Sequence, residues 1–298
     1  AVGDLMFTAD GKFLWAIVRC DAAERNRFGD ECADSNLDPV IQFDREGRFV
    51  RSFGGGLFVW PHGLDVDRSG NVWVTDAVIP TRTPKGKRGH QVVKFSPEGK
   101  VLLTLGTPGV PGGGPDHLNS PSDVAIAANG DIFVADSHSF TDGNNRVVKY
   151  SPEGKFIKAW GKTGYAPGEF RTLHSIAIDA QGRVFVADRS NNRVQVFQKN
   201  GTFVKEFVYD RDTRQSGSAW DIALWPDRNN TYMLIADGTS NLIRVVRRSD
   251  GQVLSTFGTG GRMAGQFHWV HVMAIDSKGN LYTAEAGFGR RVQRFTLQ

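Results

Sequence analysis

The sequence contains few of the features that direct a protein to a membrane or to nucleic acid. No uninterrupted apolar run reaches the roughly 18 residues that mark a membrane-spanning helix, so we expect no membrane span. The net charge is only +4 over 298 residues. The basic residues are scattered along the chain and are not combined with a stripe of stacking aromatic residues, so we expect no nucleic-acid partner.

Cysteine is nearly absent, because Cys20 and Cys32 are the only two in the chain. They lie in one loop, close enough to form a disulfide, which would contribute about 3 kcal/mol to stability through the entropy of the unfolded chain. Disulfides persist in oxidising compartments, so we expect a secreted or periplasmic protein. The sequence begins at Ala1 without a visible signal peptide, which suits a mature exported chain and a cytosolic protein equally.

Helical periodicity is also nearly absent, and a repeated β-hairpin is present in its place. The stretch LFVWPHGLDVDRSGNVWVTD, residues 57–76, alternates apolar residues on both sides of a turn cluster, which predicts a hairpin. Close copies are SPSDVAIAANGDIFVAD, TLHSIAIDAQGRVFVAD and WVHVMAIDSKGNLYTAE, and two looser copies begin at residues 3 and 218. The first five copies are each followed by a second hairpin, such as QVVKFSPEGKVLLTLG.

Six units of four short antiparallel strands predict an all-β protein with the fold of a six-bladed β-propeller. We expect a single domain over residues 1–298. Its predicted blades are approximately 1–56, 57–109, 117–163, 170–209, 217–259 and 267–298. The sixth copy ends after its third strand, and we expect residues upstream of Ala1 to supply the fourth. The long connections all fall on the face where the first strands begin, so we expect function on that face.

One position near the start of each first strand carries histidine in alternate blades. Aligned on the hairpin turn, this inner position holds Gly3, His62, Ser122, His174, Trp220 and His271. Alternate blades of a six-fold ring lie about 120° apart, so the three imidazoles should converge beside the axis. Three nitrogens and one open position are the ligand set of catalytic zinc, which predicts a zinc site at His62, His174 and His271. A structural metal, an anion held by protonated imidazoles, and three unrelated histidines are the alternatives.

The next position carries carboxylates in the other three blades, at Asp4, Asp123 and Asp221. These side chains could orient the imidazoles or bind a hard cation such as calcium. They could equally accept hydrogen bonds from the backbone of their own blades. The residues alone leave the three roles open.

Two sets of motifs resemble known families. The copies of the form GxVFVAD…NRVQVF look like NHL repeats. The stretches WPHGLDVDRSGNVWVTD, LHSIAID and FHWVHVMAID together resemble the peptidyl-α-hydroxyglycine α-amidating lyases over nearly the whole chain. The resemblance implies a six-bladed propeller with zinc on three histidines of alternate blades. It also implies a zinc-dependent lyase that cleaves the C–N bond of a carbinolamide to an amide and glyoxylate. We expect a small-molecule or peptide-derived substrate and a monomeric protein.

The resemblance also assigns catalytic residues. Arg19, in AIVRCD, and Arg189, in VADRSNNR, match two active-site arginines of the family. His138 stands where the family has its catalytic tyrosine, and we expect it to act as the base. Trp269 replaces a family methionine. Val272 replaces a calcium-binding aspartate, a departure that puts calcium at that place in question.

Two other functions suit the same sequence. A metal-dependent propeller hydrolase, such as a lactonase or an esterase, could use His138 as its base. Hydrolases of this architecture usually hold calcium with carboxylates and asparagines, so three histidines disfavour this alternative. The second alternative is a non-catalytic NHL scaffold that binds protein or glycan on one face, and such a module needs no metal.

Overall fold

The computed structural model describes residues 1–20, 29–79, 86–138, 143–287 and 289–296. The strands of this part of the chain form six antiparallel sheets, in each of which consecutive strands are neighbours. Sheet one contains β1 (Val2–Phe7), β2 (Phe13–Val18), β3 (Val40–Asp44) and β4 (Phe49–Phe53). Sheet two contains β5 (Pro61–Val66), β6 (Val72–Asp76), β7 (Gln91–Phe95) and β8 (Val101–Leu105). Sheet three contains β9 (Pro121–Ile126), β10 (Ile132–Asp136), β11 (Arg146–Tyr150) and β12 (Phe156–Trp160). Sheet four contains β13 (Leu173–Ile178), β14 (Val184–Asp188), β15 (Arg193–Phe197) and β16 (Phe203–Val208). Sheet five contains β17 (Asp221–Leu224), β18 (Tyr232–Asp237), β19 (Leu242–Arg247) and β20 (Val253–Phe257). Sheet six contains β21 (Val270–Ile275), β22 (Leu281–Glu285) and β23 (Val292–Phe295).

The first hairpin of each sheet turns where the sequence places its turn residues. In the hairpin of β5 and β6, the Asp67 carboxylate accepts hydrogen bonds from the backbone N–H groups of Ser69 and Asn71. Gly70 has a φ of +81°, a conformation that glycine adopts without steric cost. Local turn chemistry therefore sets the register of the two strands.

The sheets close into a ring around their first strands. Each first strand contacts the first strands of both neighbouring sheets, and β1 contacts β21 to complete the circle. Six apolar clusters each combine residues of two adjacent sheets, including one that joins sheet six to sheet one. The predicted all-β six-bladed β-propeller is confirmed.

Large aromatic residues dominate the contacts between sheets. Phe53 of sheet one and Phe95 of sheet two have ring centroids 5.0 Å apart, and within sheet one Trp15 packs against Phe53 at 5.3 Å. Burial of each such side chain contributes about 1.5–3 kcal/mol. The propeller therefore derives its stability from the interfaces between blades.

A residue in left-handed conformation precedes the third strand in blades two to five and ties each blade to the next. These residues are His90, Asn145, Asn192 and Asn241, with φ between 49° and 57°. The side chain of each accepts a hydrogen bond from a backbone N–H just before the next first strand, at Ser120, Thr172, Ser218 and Trp269 respectively. Asparagine is the non-glycine residue that tolerates this conformation best, and a histidine takes its place in blade two.

Cys20 and Cys32 form a disulfide with their Cα atoms 4.8 Å apart. The Cys32 N–H donates to the carbonyl oxygen of Val59, which ties the disulfide to the segment preceding β5. The intervening residues 21–28 lie outside the described residues. The disulfide fixes the chain directly after Arg19.

Two further expectations concern the ends and the environment of the fold. Within the described residues the sixth sheet has three strands, and a fourth strand supplied from upstream of Ala1 stays a prediction. Among the described residues, no helix has the length and apolar character needed to cross a membrane.

Candidate metal centre

His62, His174 and His271 come together at the centre of the ring. Each is the second residue of its strand, in β5, β13 and β21. Their ring centroids are 4.7 to 5.0 Å apart, and one ligand nitrogen from each lies within 4.8 Å of the other two. Each side chain is 2% exposed. We call these three residues the histidine cup.

Backbone carbonyl groups of the intervening blades orient the imidazoles. The Nδ1 atoms of His62, His174 and His271 lie 2.8, 2.7 and 3.0 Å from the carbonyl oxygens of Ser122, Trp220 and Gly3. A carbonyl oxygen can only accept, so each Nδ1 carries the hydrogen and each Nε2 keeps its lone pair. The carbonyl partners are the inner-position residues of blades three, five and one. All six inner positions therefore contribute to one site.

The remaining ring nitrogens match what a metal ion requires. The Nε2 atoms of His62 and His174 are buried without a hydrogen-bond partner. Leaving such an atom unsatisfied costs about 1–3 kcal/mol, which a bound ion would relieve. Burial holds the pKa of all three imidazoles well below the usual value, assisted by the charge of Arg189 and, at His62 and His271, by that of Arg19. The imidazoles are therefore neutral at neutral pH, the form that binds metal, and protonated imidazoles holding an anion are disfavoured.

The three carboxylates of the next position connect neighbouring blades. One oxygen of Asp4 accepts from the Leu64 N–H at 2.7 Å, and one of Asp123 accepts from the Ile176 N–H at 2.8 Å. Asp221 binds the Met273 N–H in the same way at 2.6 Å. Burial, followed by repulsion from the other carboxylates, raises the pKa of Asp4. The aspartates thus hold backbone of the next blade, and the other oxygens of Asp4 and Asp123 accept from the Leu5 and Val124 N–H groups of their own strands. They do not orient the imidazoles, whose Nδ1 atoms face backbone carbonyl oxygens.

Calcium has no comparable set of ligands in the described part of the chain. In that part of the chain, the three side chains that lie close enough together to bind a metal ion are the histidines of the cup. Val272, at the position of the family's aspartate, is an apolar core residue that is 5% exposed. The apolar side chain at this position supplies no oxygen to a hard cation.

Two buried arginines flank the cup, each against a tryptophan. Arg19 follows β2, and its guanidinium lies 4.7 Å from the ring centroid of Trp60. Arg189 begins the short 3-10 helix Arg189–Asn191 after β14 and lies 4.8 Å from the ring of Trp220. Burial, followed by repulsion from Arg19, lowers the pKa of Arg189 to about 9. Two cations held this close in a dry site favour an anionic ligand.

His138 lies beside the cup, directly after β10. Its ring centroid is 4.3 Å from that of His62 and 5.2 Å from that of His174. Its Nε2 atom is buried without a hydrogen-bond partner. Burial, followed by the positive charges around it, lowers the pKa of His138 well below its usual value. Six side chains from sequence positions 19 to 271 therefore meet at one place.

Comparison with known proteins identifies the family. A model of the NHL repeat matches residues 118–150 and 170–197. The chain is 30% identical over 278 residues to NHL repeat-containing protein 3 of Mus musculus, an alignment that covers 87% of this chain and 73% of the relative. The chain belongs to the NHL-repeat six-bladed propellers.

This NHL-repeat propeller is also related to amidating lyases. It is 34% identical over 250 residues to peptidyl-glycine alpha-amidating monooxygenase B of Xenopus laevis, covering 80% of this chain and 26% of the relative. It is 32% identical over 268 residues to peptidyl-alpha-hydroxyglycine alpha-amidating lyase 1 of Drosophila melanogaster, covering 80% of this chain and 45% of the relative. The chain thus spans about a quarter of the monooxygenase and less than half of the lyase.

Solved structures support the fold alone. Streptogramin B lyase superposes with a TM-score of 0.62 at 15% identity, covering 100% of this chain and 83% of the other. Virginiamycin B lyase of Staphylococcus aureus superposes with a TM-score of 0.61 at 13% identity, covering 100% and 85%. Both likenesses agree with the propeller architecture.

The NHL-repeat propeller has aromatic site residues that sequence reasoning did not assign. Trp60 contacts His62, His138 and Arg19, and Trp220 contacts His174, His271 and Arg189. A signal for both exists in the sequence. Trp60 lies two residues before a ligand, in WPH, and Trp220 occupies an inner position itself.

Proposed function

We propose that the protein is a zinc-dependent lyase that converts a carbinolamide, N-acyl-α-hydroxyglycine, to an amide and glyoxylate. The observation that carries the proposal is the cup of three buried histidines, with Nε2 atoms of His62 and His174 that lack a hydrogen-bond partner, flanked by two buried arginines and by His138, whose Nε2 is buried. The relation to proteins named amidating lyases supports the same reaction.

Zinc would be held by His62, His174 and His271, because neutral imidazoles oriented through Nδ1 are the ligands it prefers. When bound, the ion supplies a Lewis acid that lowers the pKa of an oxygen-bound proton in the substrate. The backbone carbonyls of Gly3, Ser122 and Trp220 keep the three imidazoles in the tautomer this requires.

Arg19 and Arg189 bind the carboxylate that becomes the carboxylate of glyoxylate. A guanidinium donates two parallel hydrogen bonds to a carboxylate, and burial strengthens such bonds. The faces of Trp60 and Trp220 hold the two guanidinium groups in place. The substrate's negative charge offsets the repulsion between the two arginines.

His138 removes the proton from the substrate hydroxyl group through its buried Nε2. The C–O bond becomes the carbonyl of glyoxylate while the C–N bond breaks, and the electron pair of that bond moves to the amide nitrogen. The imidazolium of His138 then returns the proton to this nitrogen, which completes the amide. The reaction uses no oxidant and no water, and every atom of the carbinolamide is accounted for.

The test supplies N-acyl-α-hydroxyglycine to the zinc-loaded protein and measures glyoxylate. We expect His138→Ala to lower the rate by at least about a hundredfold, because removal of a positioned base typically costs 10²- to 10⁴-fold. His138→Tyr, which installs the family residue, should recover part of the rate. His117→Ala, which removes a histidine outside the cup, is the matched control. Opening of a lactone or ester without release of glyoxylate would favour the hydrolase alternative instead.

Export to an oxidising compartment is part of the same proposal. The Cys20–Cys32 disulfide supports it, because such bonds are rare where thiols are kept reduced. Alkylation and mass spectrometry of protein isolated from its source should detect no free thiol. Two alkylated cysteines would contradict export.

A further inference from the structure

Trp269 is a large, partly exposed side chain next to Trp220, and binding of a metal by the cup does not account for it. It lies two residues before His271, directly before β21, and 43% of it is exposed. The corresponding positions two residues before the inner positions of blades three, four and five hold Ser120, Thr172 and Ser218, all fully buried. Blade six therefore places an exposed indole where these blades have a short polar side chain.

The backbone of Trp269 is held firmly. Its N–H donates to Asn241 Oδ1 at 2.6 Å, and its carbonyl accepts from the Ala286 N–H at 3.1 Å. Its φ of +58° resembles that of Ser120 and Thr172, so this conformation belongs to the repeat and not to the indole. A Cβ atom at Gly287 would lie only 3.0 Å from the indole ring. Glycine at 287 thus leaves room for the ring.

Trp220 joins the exposed indole to the cup. The Trp220 ring centroid lies 6.3 Å from that of Trp269, 5.5 Å from that of His174 and 6.0 Å from that of His271. Trp220 is 5% exposed, whereas Trp269 is 43% exposed. The two tryptophans, which we call the aromatic platform, form a continuous path from the ligands to solvent.

Among the described residues, the wall of the cup formed by Trp60 offers no such path. Trp60 contacts His62 and His138 and is fully buried. In a carbinolamide the carboxylate points to the arginines and the hydroxyl to the cup. The acyl group on nitrogen is the remaining substituent, and among the described residues Trp269 is the exposed side chain that continues from the cup through Trp220.

We propose that the exposed indole of Trp269, backed by the buried Trp220, binds the acyl side of the substrate and selects a flat apolar group there. The preferred substrates are N-aroyl-α-hydroxyglycines and peptides whose residue before the α-hydroxyglycine has an aromatic side chain. The inference rests on the proposed function for the identity of the reacting group. An offset or edge-to-face contact with one exposed indole accounts for a preference of about tenfold over a methyl group.

The test measures binding without turnover, on zinc-loaded protein, by isothermal titration calorimetry. The probes are N-benzoylglycine and N-acetylglycine, which keep the carboxylate and the amide but lack the hydroxyl. We expect the wild type to bind N-benzoylglycine about tenfold more tightly. Trp269→Ala should abolish this preference by weakening the binding of N-benzoylglycine about tenfold, and Trp269→Phe should retain most of it.

Tyr165→Ala is the matched control, because Tyr165 is an exposed aromatic residue in the connection from β12 to β13 and contacts Arg171 instead of the cup. It should leave both Kd values unchanged. Equal affinity of the wild type for the two probes, no binding of either, or an unchanged preference in Trp269→Ala would overturn the proposal. Selective binding that depends on Trp269, together with no release of glyoxylate, would retain the platform and refute the lyase.

Discussion

The Nδ1 atom of His174 donates a hydrogen bond to the carbonyl oxygen of Trp220, the inner-position residue of the next blade, at 2.7 Å. The same bond links His62 to Ser122. Each cup histidine is thus oriented by backbone of a neighbouring blade, and among the described residues no side chain binds its Nδ1 atom. The geometry of the site therefore depends on how closely adjacent blades pack.

Metal content is the most direct test of the cup. We expect about one equivalent of zinc in protein purified without chelators, and His174→Ala should remove most of it because two ligands bind much more weakly than three. Elemental analysis provides the measurement, and His117→Ala should retain the full equivalent. Undiminished metal in the variant lacking all three cup histidines would show that the ion binds elsewhere.

Gly63 should be required for both stability and metal binding. A Cβ atom there would lie 2.5 Å from the Ser122 carbonyl oxygen, the partner of His62, and 2.6 Å from Asp123 Cα. Gly63→Ala must therefore separate blades two and three, and we expect a loss of about 1–3 kcal/mol in unfolding free energy, together with weaker zinc binding.

Urea denaturation and zinc titration measure the two effects of Gly63→Ala. Gly113→Ala is the control, since a Cβ atom at Gly113 would meet a single atom, at an ordinary contact distance of 3.7 Å. If Gly63→Ala matched this control in both measurements, close packing at Gly63 would not govern the site.

His90 should make the stability depend on pH. Burial lowers its pKa to about 4, whereas an unfolded histidine titrates near 6.5, so the unfolded chain binds the proton more readily. The contribution of neutral His90 is complete above about pH 6.5 and is lost as the pH falls towards 4, by about 2–3 kcal/mol in all. Protonation also removes the Nδ1 lone pair that accepts from the Ser120 N–H.

The variant His90→Asn isolates this effect, because asparagine performs the same task at Asn145, Asn192 and Asn241 and does not titrate. Urea denaturation of metal-free protein at pH 7 and pH 5 should show a smaller loss of stability for the variant than for the wild type. Identical losses would mean that His90 does not contribute.

The fold was predictable because its signals are local and repeated. Alternation and turn residues such as Asp67 and Gly70 specify each hairpin without knowledge of the rest of the chain. In a ring of six similar blades, the same position of each repeat lies at an equivalent place around the axis. This is why the convergence of His62 and His271 can be anticipated although 209 residues separate them in the sequence (62 to 271).

The contacts between blades were not predictable in the same way. Whether Asp4 binds its own blade, a neighbour or an imidazole depends on the distance and rotation between sheets, which the sequence does not state. The structure shows that one oxygen binds Leu5 of its own strand and the other reaches Leu64 of the next blade. The stacking of Arg189 on Trp220 is likewise set by tertiary packing, since the two residues lie in different blades.

The two arginines should control the affinity for the substrate carboxylate. We expect Arg189→Gln to raise KM by about 10- to 100-fold, since a hydrogen bond to a charged group is worth about 1.5–3 kcal/mol, with a smaller change in kcat. A substrate whose carboxylate is replaced by a carboxamide should show no such difference between wild type and variant.

Arg171→Gln is the control for Arg189→Gln, because Arg171 contacts Tyr165 and not the cup. Zinc content, measured in parallel, should stay at one equivalent in both variants. A KM that rises equally for the charged and the neutral substrate would mean that Arg189 supports the fold of the site and does not bind the carboxylate.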